Sequence, residues 1–323
     1  MNLVQAPTQG NAKITKNTSP FSIVKKRIKK SLQLYLIFLL PLIWFIIFRY
    51  VPMYGLQIAF KDYKAADGIW GSKWVGLANF NKFFNSYVFT RVVTNTLGIT
   101  IYNLVAGFPI PIILAIALNV TYRNKFKKVT QYVTYMPYFI STVVMVGIVM
   151  QFLNPRIGIV NKFITALGGK AIDFMGVPEF FKSIYVWSGI WQHTGWNSII
   201  FLAALSSISQ ELHEAAMIDG ASRFKRVIHI DLPGIMPTAI ILLIMNCGQL
   251  MNVGFEKVFL MQNPLNLRSS QVIATYEYSV GLKSAAANFS YATAIGFFNS
   301  AINLLLIIIV NKIAKTTTET SLW

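Results

Sequence analysis

Long apolar runs separated by shorter polar stretches set the pattern of this chain. A helix needs roughly 20 apolar residues to cross a hydrocarbon core of about 30 Å, because backbone groups left unpaired in lipid are costly. Stretches at about 32–50, 93–120, 130–153, 183–206, 235–255 and 291–311 meet that requirement. Gly107, Pro109 and Pro111 interrupt the second, Pro137 sits near the start of the third, and polar insertions dilute the fourth and fifth. The pattern predicts an all-α polytopic membrane protein. Six transmembrane helices occupy 32–311, with a basic tail over 1–31 and a short tail over 312–323. The first run is longer than a signal-peptide core and no small-residue cleavage site follows it, so a retained helix is expected.

Composition agrees and removes other classes. Hydrophobic residues are 54% of the 323 and charged residues only 12%, about half the share in a soluble chain. Mean hydropathy is +0.53. The 29 Lys+Arg against 11 Asp+Glu give +18, which in a soluble protein would point to nucleic acid. Here the charges lie between apolar runs, so they set topology, and no nucleic-acid partner is expected. Basic residues of short loops stay in the cytoplasm. Lys25, Lys26, Arg27, Lys29 and Lys30 precede the first run, and Arg123, Lys125, Lys127 and Lys128 separate the second from the third. Both termini and the 207–234 connection are therefore expected inside, and 51–91, 154–182 and 256–290 outside. Residues 21–32 have the makings of a basic helix lying on anionic lipid.

The connection after the fourth run carries the most specific signal. Ser207 and Gln210 have capping-box spacing, and Glu211 and Glu214 suit the positive end of a helix. Leu212, Ala215, Ala216 and Ile218 present a small-sided surface. Gly220 allows a positive-φ turn, a second helix starts near Ser222, and Leu232-Pro233 is expected to stop it. Glu214-Ala215-Ala216, Asp219-Gly220-Ala221, Ile230, Leu232-Pro233 and Pro237 resemble the EAA loop, over 207–237, of binding-protein-dependent ABC import permeases. Val227 and Asp231 depart from that pattern, which usually has an aromatic and a small or hydroxyl residue there. Trp196, Phe201–Leu205 and Ile208, with 49–63, 253–266 and the NKIAK ending, are similar to the carbohydrate-uptake branch. Within it, the similarity is to its complex-oligosaccharide subfamily, including the larger permeases of alginate and rhamnogalacturonan-fragment importers.

The resemblance implies a type I ABC importer permease, a subunit without catalytic residues of its own. Its loop would be a coupling helix seated in a cleft of a cytoplasmic ATPase. Glu214 would form an ion pair there, Ala215 and Ala216 would make the close contact, and Gly220 would make the turn. A second homologous permease, two ATPase copies that bind ATP and Mg, and an extracytoplasmic solute-binding protein are the implied partners, within a bacterial cytoplasmic membrane. The outer 256–290 segment would receive the binding protein.

A substrate path needs polar groups inside the bilayer. Asn246, Gln249, Asn252 and Glu256 fall within about 120° of arc at helical spacing, Asn299 and Asn303 share a face at i, i+4, and Asn103 and Trp191 add an amide and an aromatic from other runs. Amides that bond hydroxyls beside aromatic faces suit a glycan. The same polar residues also suit contacts between helices, and tryptophan also suits the membrane interface.

Enzyme chemistry finds little support. His213-Glu214-Ala215-Ala216-Met217 lacks the second histidine of H-E-x-x-H, Cys247 is the one cysteine, and no G-x-x-x-x-G-K-[ST] occurs. No metal or cofactor is expected in this chain. A secondary transporter or channel is the competing function. No charged residue lies mid-span and no repeat is visible, which argues against it, and it has no reason to possess the 207–237 loop.

Overall fold

The computed structural model describes residues 31–284, 286–318 and 321. The basic tail, with the helix expected from residue 21, lies outside the described residues up to position 30. The chain divides into two units, 1–56 and 57–323.

In the first unit, α1 (Leu32–Phe45) runs into a π-helical segment, Ile46–Tyr50, and a last turn, Val51–Met53. Pro52 would clash with the carbonyl four residues back, at Phe48, and the widened turn falls there. Every side chain from Leu32 to Tyr54 is exposed. An apolar helix with no buried face belongs in lipid.

The second unit is helical apart from a two-residue antiparallel pairing, Lys61↔Trp74 and Asp62↔Lys73. Ser86 caps α2 (Tyr87–Gly107) by accepting from the Val88 N–H at 3.1 Å. Helix α2 thus starts six residues before the expected position, since its polar first turns hide it from hydropathy. Gly107, Pro109 and Pro111 do not interrupt the span. Phe108 keeps αR geometry, and α3 (Pro109–Val120) begins with proline at its first turn, where no N–H is needed.

The third stretch, expected over 130–153 with Pro137 near its start, is sharply bent. α4 (Asn124–Tyr135) and α5 (Thr142–Phe152) meet at a 103° bend across a short 3-10 turn that contains Pro137. Ser141 caps α5, and the Ile140 carbonyl freed at the break accepts from Gln192 Nε2 at 2.9 Å. Gln192 is 5% exposed, so it serves the bend. Gln192→Leu should cost about 1–3 kcal/mol by leaving that carbonyl unpaired, readable as a lower thermal midpoint in detergent.

α6 (Pro178–Ser206) has 29 residues, about 43 Å of helix, and packs chiefly against α3 and α2. Among the described residues four helices are long and apolar enough to cross a membrane, or five if the bent pair is one span. A count of six requires α6, which has the length but carries Gln192, His193 and Asn197.

Two expectations for the fifth span fail. Leu232-Pro233 does not stop the preceding helix: Arg223–Cys247 is continuous, through a π-helical turn at Val227–Asp231 and then α8 (Leu232–Cys247). The widened turn again precedes a proline, Pro233, and removes the clash at His229. The span also ends at Cys247 rather than near 255. Gly248 lies against Ile307, where a Cβ would come within 2.9 Å, and Asn303 Oδ1 takes the Met251 N–H at 2.9 Å. After the break, α9 (Phe255–Met261) and the short helices Leu267–Ser270 and Ile273–Tyr278 fill what was expected to be a loop. Buried Asn266 holds them by donating to the carbonyls of Met175 and Met261. α10 (Phe289–Thr318) overruns the expected 291–311 at both ends. The core between α2, α6 and 253–272 contains Ile99, Phe181, Val186, Val258 and Met261.

Candidate functional site: an exposed helix and a polar cavity

α7 (Gln210–Ile218) follows α6 and has no buried residue. Its cap is Ser209, which accepts from the Glu211 N–H at 3.3 Å. The expected capping box from Ser207 does not form, because the Ser207 hydroxyl donates to the Ala204 carbonyl at the end of α6. The C-terminus closes by two bonds, Gly220 N–H to Met217 O at 3.1 Å and Ala221 N–H to Ala216 O at 2.8 Å. With Gly220 at φ +76, this is a Schellman closure, which needs a left-handed residue at that point. Ser222 then caps the next helix.

Leu212, Met217 and Ile218 stand outward, Ile218 at 87% exposure. Glu214 is exposed and has no ion pair among the described residues. Ala215, Asp219, Gly220 and Pro233 are exposed, whereas Ala216, Ala221, Ile230 and Leu232 are half-buried. Leu232 packs with Ile208 on a core that includes Ile235 and Phe201. Asp231, one of the two departures from the EAA pattern, is 2% exposed and sits 3.4 Å from His213 Nε2. It therefore ties α7 to the base of the fifth span.

Toward the other end of α6, a cavity of about 510 Å³ opens between α2, α3, α6 and residues 242–257. Of the expected path residues it gathers Asn103, Asn246, Gln249 and Asn252. Gln249 and Asn252 arrive through the turn after Cys247 and not through continued helical register. Asn246 donates to Leu242 O within its own helix. Asn299 Nδ2 donates to Asn252 Oδ1 at 3.0 Å, and Asn252 Nδ2 donates to Gln249 Oε1 at 2.7 Å. In that chain the Gln249 Oε1 is taken up by Asn252, and Gln249 itself lines the cavity. Glu256, Asn299, Asn303 and Trp191 are outside the lining. Glu256 lies in the first turn of α9, Asn303 caps Met251, and Trp191 is 52% exposed. Trp196 lines the cavity and stacks on Tyr138, with ring centroids 4.4 Å apart and planes at 4°.

Sequence reasoning missed His193 and Lys257 here. Lys257 Nζ donates to the Tyr185 carbonyl at 2.8 Å and lies 4.6 Å over the Tyr185 ring. Helical spacing already puts Lys257 within about 20° of Asn246 and about 80° of Gln249 on one face, which was the available signal, although the helix itself ends at Cys247 and Lys257 comes from α9. Among the described residues, no group of three metal-ligating side chains converges.

An outward-facing helix at the position of the EAA residues, on a helical bundle, is the arrangement the resemblance implied. Residues 107–319 match the family described as binding-protein-dependent transport system inner membrane component. The chain belongs to this family. This permease is 42% identical to Protein LplB of Bacillus subtilis (strain 168) over 89% of its own length and 90% of that protein. It is 40% identical to the polygalacturonan/rhamnogalacturonan transport system permease protein YteP of the same organism, covering 87% of each. A chain of a bacterial alginate ABC transporter, solved in complex with an alginate pentasaccharide-bound periplasmic protein, superposes with a TM-score of 0.84 at 38% identity, over 92% of this chain and 99% of that one. The permease is a multi-pass inner-membrane component of an ABC importer that works with a binding protein and partner subunits.

Proposed function

We propose that this permease is one of two transmembrane subunits of an ATP-driven importer for oligosaccharides or polysaccharide fragments. It pairs with a similar but distinct permease, two ATPase subunits that bind ATP and Mg, and an extracytoplasmic solute-binding protein, and both its termini face the cytoplasm. The observation that carries the reading is α7: a nine-residue helix with no buried side chain and apolar groups turned outward, on a subunit of this family. Glu214, Ala215 and Ala216 form the surface that meets the ATPase. Asp219, Gly220 and Ala221 close the helix, and Ile230, Leu232 and Pro233 join it to the span it moves. Closure of the ATPases on ATP shifts α7, and the bundle follows between two states to which the motor binds unequally.

The cavity supports a saccharide as cargo. The amides of Asn103, Asn197 and Gln249 that line it suit hydroxyls, and Trp196 offers a flat face. The relatives point the same way: YteP is named for polygalacturonan and rhamnogalacturonan, and the matched transporter for alginate. The test is uptake into vesicles carrying the full complex, with radiolabelled oligosaccharide and its binding protein. Accumulation is expected only with ATP inside the ATPase-facing compartment. Nucleotide-independent uptake by the permease alone would instead mark a secondary transporter.

A further inference from the structure

A second cavity, of about 360 Å³, lies at the end of α6 from which α7 departs. Its walls come from the end of α3, from α7 and from the first turns of the fifth span. Gln210, His213 and Met217 recur at helical spacing, so one face of α7 lines it. Two guanidiniums line it as well. Arg223 and Arg226 are three residues apart on one continuous helix, which makes them neighbours on its surface. Arg223 lies 4.6 Å over the ring of Tyr122, a contact that engages the flat face of the guanidinium and leaves its edge donors open. Arg226 Nε is buried and has no hydrogen-bond partner among the described residues. Neither arginine makes an ion pair among them. The one carboxylate of the cavity, Asp231, is 2% exposed and faces His213 Nε2 at 3.4 Å, so its neighbour is the histidine. A buried guanidinium donor without an acceptor is costly, and an anion entering the cavity removes that cost.

We propose that this cavity binds the phosphoryl group of a small polyol phosphate between Arg223 and Arg226. A carboxylate has two oxygens and satisfies one guanidinium fork, whereas a phosphoryl group offers three oxygens and suits two forks at once. The amides of Asn119 and Gln210, which also line the cavity, suit the hydroxyls of the polyol. A phosphorylated sugar and the phosphoglycerol headgroup of an anionic lipid both present this chemistry. The occupant touches α7 and the span that α7 adjoins, so it bridges the joint between motor and bundle and favours whichever state holds the two at this distance. The site is separate from the cavity proposed for cargo, and its occupancy is measured without transport.

The experiment measures binding of labelled glucose 6-phosphate to the complete, delipidated transporter in detergent, with ADP filling the nucleotide sites of the ATPases and glucose as the uncharged control. Saturable binding of glucose 6-phosphate well above that of glucose is expected. Arg226→Gln should weaken it about tenfold, and Arg226→Lys, which keeps the charge and loses the fork, about threefold. The lysine variant is the one to read if the glutamine variant does not assemble. The same measurement in nanodiscs then separates the two sources. Binding retained in both phosphatidylcholine and phosphatidylglycerol discs marks a soluble phosphate as the occupant, and binding lost only in phosphatidylglycerol marks the lipid headgroup, each with the phosphoryl site upheld. Equal affinity for glucose and glucose 6-phosphate, equal affinity in the unaltered and Arg226 variants, or no binding to the delipidated complex would overturn the proposal. None of these results bears on whether the transporter moves saccharide, which the vesicle assay decides.

Discussion

Gly220→Pro is expected to abolish substrate uptake by the assembled transporter and to remove the stimulation of ATP hydrolysis by loaded binding protein. Gly220 holds φ at +76, and the proline ring fixes φ near −65°. The substitution also deletes the N–H that donates to the Met217 carbonyl. The Ala221 to Ala216 bond depends on the same reversal of the chain, so both closing bonds of α7 go together. The local cost is about 3 kcal/mol or more, enough to unwind a nine-residue helix that has no buried face to hold it. A Cβ at Gly220 meets nothing within 4 Å, so the bundle should still assemble and the loss should be one of coupling. Glu214→Lys tests the same surface by reversing the charge without touching the backbone. Normal uptake and normal stimulation in both variants would exclude α7 as the coupling element.

Gly195→Val is expected to have the largest effect on stability. A Cβ at Gly195 would overlap the carbonyl of Thr134 and fall 2.9 Å from the Tyr135 ring, because α6 crosses the end of α4 there without a side chain between them. Backbone cannot move aside as a flexible side chain can, so α6 and the bent third span must separate. That separation also strains the nearby bond from Gln192 to Ile140. Overpacking of this kind costs about 3 kcal/mol, and the expected result is a marked fall in the thermal midpoint and in the yield of purified protein. Gly147→Val is the control, since nothing lies within 4 Å of a Cβ at that glycine of α5. Equal midpoints for the two variants would show that the close approach at Gly195 does not matter.

The helical membrane architecture was legible because apolar runs of spanning length admit few other structures. The turn after α7 was equally legible, since the positive φ that Gly220 adopts there is local geometry that a short segment specifies by itself. Of the residues expected on a substrate path, only some come together. Asn246, Gln249, Asn252 and Asn103 do share one cavity. Asn303 and Asn299 turn to the backbone and to another amide instead. Helical periodicity cannot separate these roles, because an amide facing a cavity and an amide capping a broken helix look alike in sequence.

Spans, the family of the chain and the turn after α7 thus followed from local rules: the thickness of a bilayer, the positive-φ tolerance of glycine, the spacing of a short motif. Where helices break or continue was decided by contacts distant in sequence. Pro233 leaves its helix running because a widened turn precedes it, and Gly248 ends one because Ile307 and Asn303 compete for that space and that N–H. Lys257 lines the cavity from α9, the helix that follows this second event. Its neighbours Tyr185 and Gly189 lie about 70 residues away in the chain, and only packing brings a charge to face an amide-lined space at that separation.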